Sequence, residues 1–243
     1  MTLIRFLNDT LRDYVQGHTG EKLRSMRGYE IIAAFLGYDT KARLDAETRS
    51  DPDMTRALHP ECLIHARQIL VNVDLLKRCL EEEARRREEE GQDDAEVLET
   101  SGDDPLPPLP DARSVAAVLH RAVESFAGRP ITLTFIEQDG QPVIDQVRPS
   151  LLGDLSDQLS GEMVDARGYF DEFEVEEEEM TWDSRLEITC HGMMTGTAYE
   201  DAGIPAERIV FSGTASYERR GGRCGLGDGH FTASGEVDWR NFE

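Results

Sequence analysis

No stretch of this chain approaches the roughly 18 consecutive apolar residues that a membrane helix needs, and the mean hydropathy is -0.50. A membrane-spanning helix is therefore not expected. The first residues, Met1-Thr-Leu-Ile-Arg-Phe6, lack a basic stretch leading into an unbroken apolar segment, so no signal peptide is expected either. Cysteine is scarce. Cys62, Cys79, Cys190 and Cys224 lie far apart and form no C-x-x-C pair; they read as reduced thiols of a cytoplasmic protein. Basic residues are also short, with 26 Lys plus Arg against 49 Asp plus Glu and a net charge of -23. Like-charge repulsion at that balance argues against direct binding to a nucleic acid. It favours a basic partner, or a protein that itself grips nucleic acid.

The acid that is present is concentrated. From Glu81 to Asp104 there are 12 acids against 3 arginines, and from Asp154 to Glu179 there are 11 acids against 1 arginine. The remainder of the 243 residues is close to neutral. The first segment runs into Pro105-Leu-Pro-Pro-Leu-Pro110, which cannot continue a helix and favours an extended path. These features predict three parts, a helical domain over 1–90, an acidic, proline-rich linker over 91–111, and an α+β domain over 112–243.

Leu3, Leu7, Leu11 and Val15 recur at helical spacing, with Gly17 as the expected stop. A second helix through residues 29–36 closes at Gly37, and a third starts behind Asp39-Thr40. Pro60 suits a first helical turn, and the chain from there to about Glu90 reads as one long helix. Its apolar part holds Ile64, Ile69, Leu70, Val73, Leu76 and Leu80, and residues 81–90 are charged on every face. The stretch Tyr29-Glu-Ile-Ile-Ala-Ala-Phe-Leu-Gly-Tyr-Asp-Thr40, followed by Lys41-Ala-Arg-Leu-Asp-Ala46, resembles the small helical domain called glyoxalase-related, found in bacterial proteins including ones carried on mobile elements. The resemblance covers about residues 3–47. It implies a helical fold; the family name does not imply glyoxalase activity, and no catalytic residue is carried over.

Beyond the linker, Asp111 caps an expected helix through Val115, Leu119, Val123 and Phe126, ended by Gly128. Asp139-Gly140 joins apolar runs at 131–136 and 143–147 in a hairpin pattern, and Ser150 is placed to cap a helix through Leu159. Strands are expected at 185–199, 208–217 and 230–239, with Phe173 and Val175 alternating with acids in an edge strand or interaction segment before them. The expected architecture is an antiparallel sheet with helices on one face.

Local chemistry is thin. His59, Cys62 and His65 on an α-helix could not all face one ion, because position i+6 has rotated away. Cys190-His191 with Cys224 and His230 fails in a similar way, since adjacent strand residues point to opposite faces. The glycine-rich run 221–229 lacks the strand-before, helix-after context of a phosphate loop; Arg219, Arg220 and Arg223 there can pair with the acidic segment or touch a partner. No catalytic residue, metal or cofactor is expected. The expected function is that of an acidic interaction protein, in its sharpest form a nucleic-acid mimic inhibiting a nuclease or another nucleic-acid-binding system. The expected partner-binding residues are Glu81, Glu82, Glu83, Glu88, Glu89 and Glu90, with Phe170, Asp171, Glu172, Phe173, Glu174, Glu176, Glu177, Glu178 and Glu179. An antitoxin-like protein with one specific basic partner is the second reading, and a metalloenzyme the third.

Overall fold

A computed structural model describes residues 1–50, 57–95, 107–136, 156–166, 168–182, 185–198 and 208–238. The chain is α+β and divides into two compact units, residues 1–139 with 219–227, and residues 140–218 with 228–243. This division differs from the expected boundary at 91–111. The chain returns after the proline-rich stretch, and its next helix packs into the N-terminal core.

In the first unit, α1 (Leu3–Thr19) buries Leu3, Leu7, Leu11 and Val15, a stripe at the spacing of one helix face. It runs past the exposed Gly17 and stops at Gly20, whose φ of 78° is the left-handed conformation that ends helices. Helix α2 (Ser25–Phe35) is apolar on most of its surface and buried from Ile31 to Phe35. Helix α3 spans Lys41–Ser50.

The single long helix expected from residue 60 does not form. A 3-10 helix (Pro60–His65) is followed by strand β1 (Gln68–Asn72) and then by α4 (Val73–Ala95). Ile69, Leu70 and Val71 are consecutive and all buried. A short run buried on both sides is the pattern of an interior strand, and period alone cannot tell it from a buried helix. The N-terminal part is thus not all-helical. Helix α4 also carries five residues of the expected linker, and Leu109 packs against the core.

Helix α5 (Ala112–Ala127) has the expected ends. Asp111 accepts the Ser114 backbone N–H at 3.0 Å, and Gly128 closes the helix at φ 67°. Its apolar face meets α1, where the Phe6 and Phe126 rings lie 5.6 Å apart. The bonds from Ser114 hold the Asp111 carboxyl below the usual range. Asp111→Ala should lower stability by about 1 kcal/mol in urea denaturation. The gap should narrow as pH falls through the depressed carboxyl range, where the cap itself becomes protonated.

Strand β2 (Thr132–Ile136) pairs with β1 in parallel, Leu70 opposite Thr134. The sheet is therefore mixed and not purely antiparallel. The expected partner strand at 143–147 and the start of the helix behind Ser150 lie outside the described residues. The opposite side of β1 pairs antiparallel with Gly225 and Leu226, the start of β6 (Gly225–Asp238).

In the second unit, a short helix α6 (Ser160–Asp165) precedes β3 (Gly168–Trp182), which pairs with β4 (Arg185–Ala198), and β4 with β5 (Arg208–Arg219). Leu186, Ile188, Cys190 and Met194 are buried on β4 while Glu187 and His191 are exposed, the alternation of a one-sided sheet. The small residues seen in the sequence serve close approach. A Cβ on Gly192 would lie 2.1 Å from the Glu174 carbonyl oxygen, and one on Gly213 would lie 2.9 Å from Phe231.

Candidate functional site

The two acidic segments fall in different units and have different electrostatic surroundings. On α4 much of the charge is neutralised within the fold. Glu81 lies 3.9 Å from Lys77, and Glu82 3.8 Å from Arg86. Such exposed i,i+4 pairs contribute about 0.3–0.5 kcal/mol each. Glu83, expected on the surface, is only 4% exposed and bonds Arg27 at 2.9 Å. It sits four residues after Cys79 and seven after Leu76, on the stripe that faces α2, so it cannot reach an external partner. Glu88 and Glu89 are exposed with no ion-pair partner among the described residues. The Glu90 side chain lies outside them.

Strand β3 is different. It stands last in its sheet, hydrogen-bonded to β4 on one side and to no described strand on the other. Glu172, Glu174, Glu176 and Glu179 are exposed. Glu172 accepts from the Thr195 hydroxyl at 3.2 Å; Glu174, Glu176 and Glu179 face no cation among the described residues. Phe170 is a correction: at 7% exposure it belongs to the core and cannot anchor a partner. Phe173 and Val175 are half-buried, opposite Met194 and Gly192. The side chains of Asp171, Glu177 and Glu178 lie outside the described residues. Register shifts at Phe170/Glu172 and Val175/Glu177 break the strand into short regular runs. Charge and bulges on an edge also prevent strands of separate molecules from pairing, so this acid has a structural use whatever it binds.

The metal candidates do not assemble. His59, Cys62 and His65 lie on and beside a 3-10 helix, where positions three apart stack on one side. The rotation argument made for an α-helix therefore does not apply. His59 is instead turned to its own chain, its Nδ1 accepting the Glu61 N–H at 3.3 Å. Cys190 is buried beside an exposed His191, as strand alternation requires. Among the described residues no three His, Cys, Asp or Glu side chains could share an ion.

The glycine-rich run is a hairpin turn pinned to the first unit. The N–H groups of Gly221, Gly222 and Arg223 donate to the carbonyls of Ala57, Leu58 and Leu36 at 2.7, 2.8 and 2.9 Å. With these donors consumed they cannot cradle a phosphate. The turn delivers two arginines to a carboxylate that sequence reasoning missed. Arg223 bonds Glu47 at 2.7 and 3.1 Å, and the buried Arg219 lies 4.0 Å from it. Arg223 also covers the Tyr38 ring at 5.2 Å. Gly37, with φ 86°, lets the chain turn there, and a Cβ on it would lie 2.9 Å from that of Arg223. The Leu36-Gly37-Tyr38 pattern thus has a packing reason in this fold.

Tyr38 is fully buried, and its hydroxyl finds no hydrogen-bond partner among the described residues. Burial foremost, then the Glu47 carboxylate, push its pKa up from 10.0 to about 12. Tyr38→Phe should be neutral or stabilising by up to about 1 kcal/mol at neutral pH, since it removes an unpaired polar atom. The raised value also sets a sign. Above the ordinary phenol range the unfolded chain ionises first, so stability falls as pH climbs toward the folded value. Tyr38→Phe should lose that part of the alkaline decline, read as melting temperature against pH.

Compared with known proteins, the chain matches no family model, no curated protein and no solved structure.

Proposed function

We propose that this is a non-enzymatic, cytoplasmic interaction protein whose β3 carboxylates occupy a basic site on a nucleic-acid-binding protein. The observation that supports this reading is that Glu174, Glu176 and Glu179 are exposed on β3 with no cation against them among the described residues. Exposed carboxylates on an extended strand present negative charge such as a phosphate backbone offers, and they raise the encounter rate with a basic surface. The acid on α4 contributes less, because Lys77, Arg86 and Arg27 already stand beside Glu81, Glu82 and Glu83. In this reading the protein competes with DNA or RNA and does not bind either itself. The Leu36-Gly37-Tyr38 helix stop supports kinship of the first three helices with glyoxalase-related domains, without an activity.

A tagged pull-down from bacterial lysate, washed at rising salt and challenged with duplex DNA or RNA, tests the proposal. A nucleic-acid-binding protein should be retained at low salt and displaced by the competitor. Glu174, Glu176 and Glu179 changed together to Gln should weaken retention more than the same change at Glu82, Glu88 and Glu89. Retention that resists both nucleic acid and the β3 changes would overturn it.

A further inference from the structure

Strand β3 is the last of its sheet, and no described strand lies along the edge it turns away from β4. The N–H and C=O groups on such an edge form a template for a further strand. The two register shifts leave regular runs at 172–175 and 177–182, where the ladder with β4 is unbroken.

The first run has two chemically different faces. Residues directly opposite each other across strands share a face. Glu172 and Glu174 stand opposite Thr195 and Met193, on the face that also carries the exposed His191 of β4. Phe173 and Val175 stand opposite Met194 and Gly192, on the buried face. Met194 is fully buried, yet Phe173 and Val175, one strand nearer the edge, are only half-buried. A strand laid along β3 would cover the remaining flank of both.

These faces specify what fits. On the solvent face the added strand meets carboxylates, so it carries Lys or Arg there; on the other face it continues the apolar surface of Phe173 and Val175. Opposite charges facing across strands stabilise the pairing and like charges oppose it. A second copy of β3 would set Glu against Glu and is rejected. The charge that guards this edge against its own kind therefore leaves it open to a basic strand.

We infer that β3 takes up, as an added strand, a segment of a basic protein in which Lys or Arg alternates with apolar residues. The inference rests on the proposed reading of β3 as the partner-binding element and names how the partner is held. Main-chain hydrogen bonds supply affinity, and the alternation of side chains supplies selectivity.

Fluorescence anisotropy of the full chain at low salt, with labelled, capped peptides of equal length, tests it. The first peptide alternates lysine with valine and the second lysine with serine. The third is the first with every main-chain nitrogen methylated, which removes the ladder donors and keeps charge and side chains. The lysine–valine peptide should bind, and each of the other two at least about tenfold more weakly, as the loss of apolar contact or of several hydrogen bonds implies. Glu172 and Glu174 changed together to Gln, both at exposed positions, should weaken the first peptide by at least about threefold. No binding of that peptide, equal binding of either control, or undiminished binding by the double variant would each overturn the inference. The two proposals fail separately. A lysate partner that resists nucleic acid ends the mimicry reading and leaves strand uptake standing, whereas equal binding of the methylated peptide ends strand uptake alone.

Discussion

Replacing Glu47 by Gln should destabilise the protein by about 2–3 kcal/mol, a fall of roughly 5–10 °C in melting temperature. Glu47 is the carboxylate that both Arg219 and Arg223 approach, and the Arg219 side chain is only 4% exposed. Removing the negative charge while keeping the side-chain size leaves that guanidinium in a poorly solvated place beside a second positive charge. The full penalty for an uncompensated buried ion is about 3–5 kcal/mol; Arg223 can relax toward solvent, which lowers the figure. Arg43→Ala is the control. It breaks a pair with Asp39 at 2.6 Å whose side chains are both more than half exposed, and it should cost no more than about 0.5 kcal/mol. Urea denaturation of both variants reads the difference. Equal small losses would mean that the Arg219 charge is compensated without Glu47.

Gly221→Ala should be more damaging, at about 3 kcal/mol or more. Gly221 has φ 70°, and an added Cβ would lie 2.4 Å from the backbone nitrogen of Leu63 and 2.6 Å from its Cα. Neither atom can swing aside as the end of a side chain can. The 3-10 helix would have to move away from the turn, and the bond from Gly221 N–H to Ala57 O at 2.7 Å would go with it. Gly128→Ala separates the two causes of loss. Its φ of 67° is nearly the same, but nothing lies within 4 Å of the added carbon. It should therefore cost only the left-handed backbone preference of about 1–2 kcal/mol. If the two variants melt together, the turn is not held against the 3-10 helix as tightly as its distances imply.

Both predictions concern contacts that no local reading could supply, and the same contrast holds through the chain. Signals that act within a few residues were legible. The Asp111 cap, the Gly128 stop, the stripe of α1 and the alternation in β4 and β5 are decided by neighbours one to four positions away. Gly17 misled because an exposed glycine inside a helix costs only about 1 kcal/mol, less than the burial of Val15 and Thr19 on either side contributes. The run Ile69-Leu70-Val71 was ambiguous because a fully buried strand and a buried helix segment are both simply apolar. Pairing with β2 and with the start of β6 made it a strand.

Charge was the least local property. The amount and clustering of acid are read from the sequence directly. Which carboxylates remain available is not. Glu83 is consumed by an arginine 56 residues earlier, and Glu47 by one 176 residues later. The Coulomb energy of an ion pair depends on distance in space and on the surrounding dielectric, and neither is encoded in the spacing along the chain. The sequence by itself thus determined the helices with strong caps, the strands with clean alternation and the sign of the surface. Tertiary structure alone decided which charges are spent inside the fold and which face solvent.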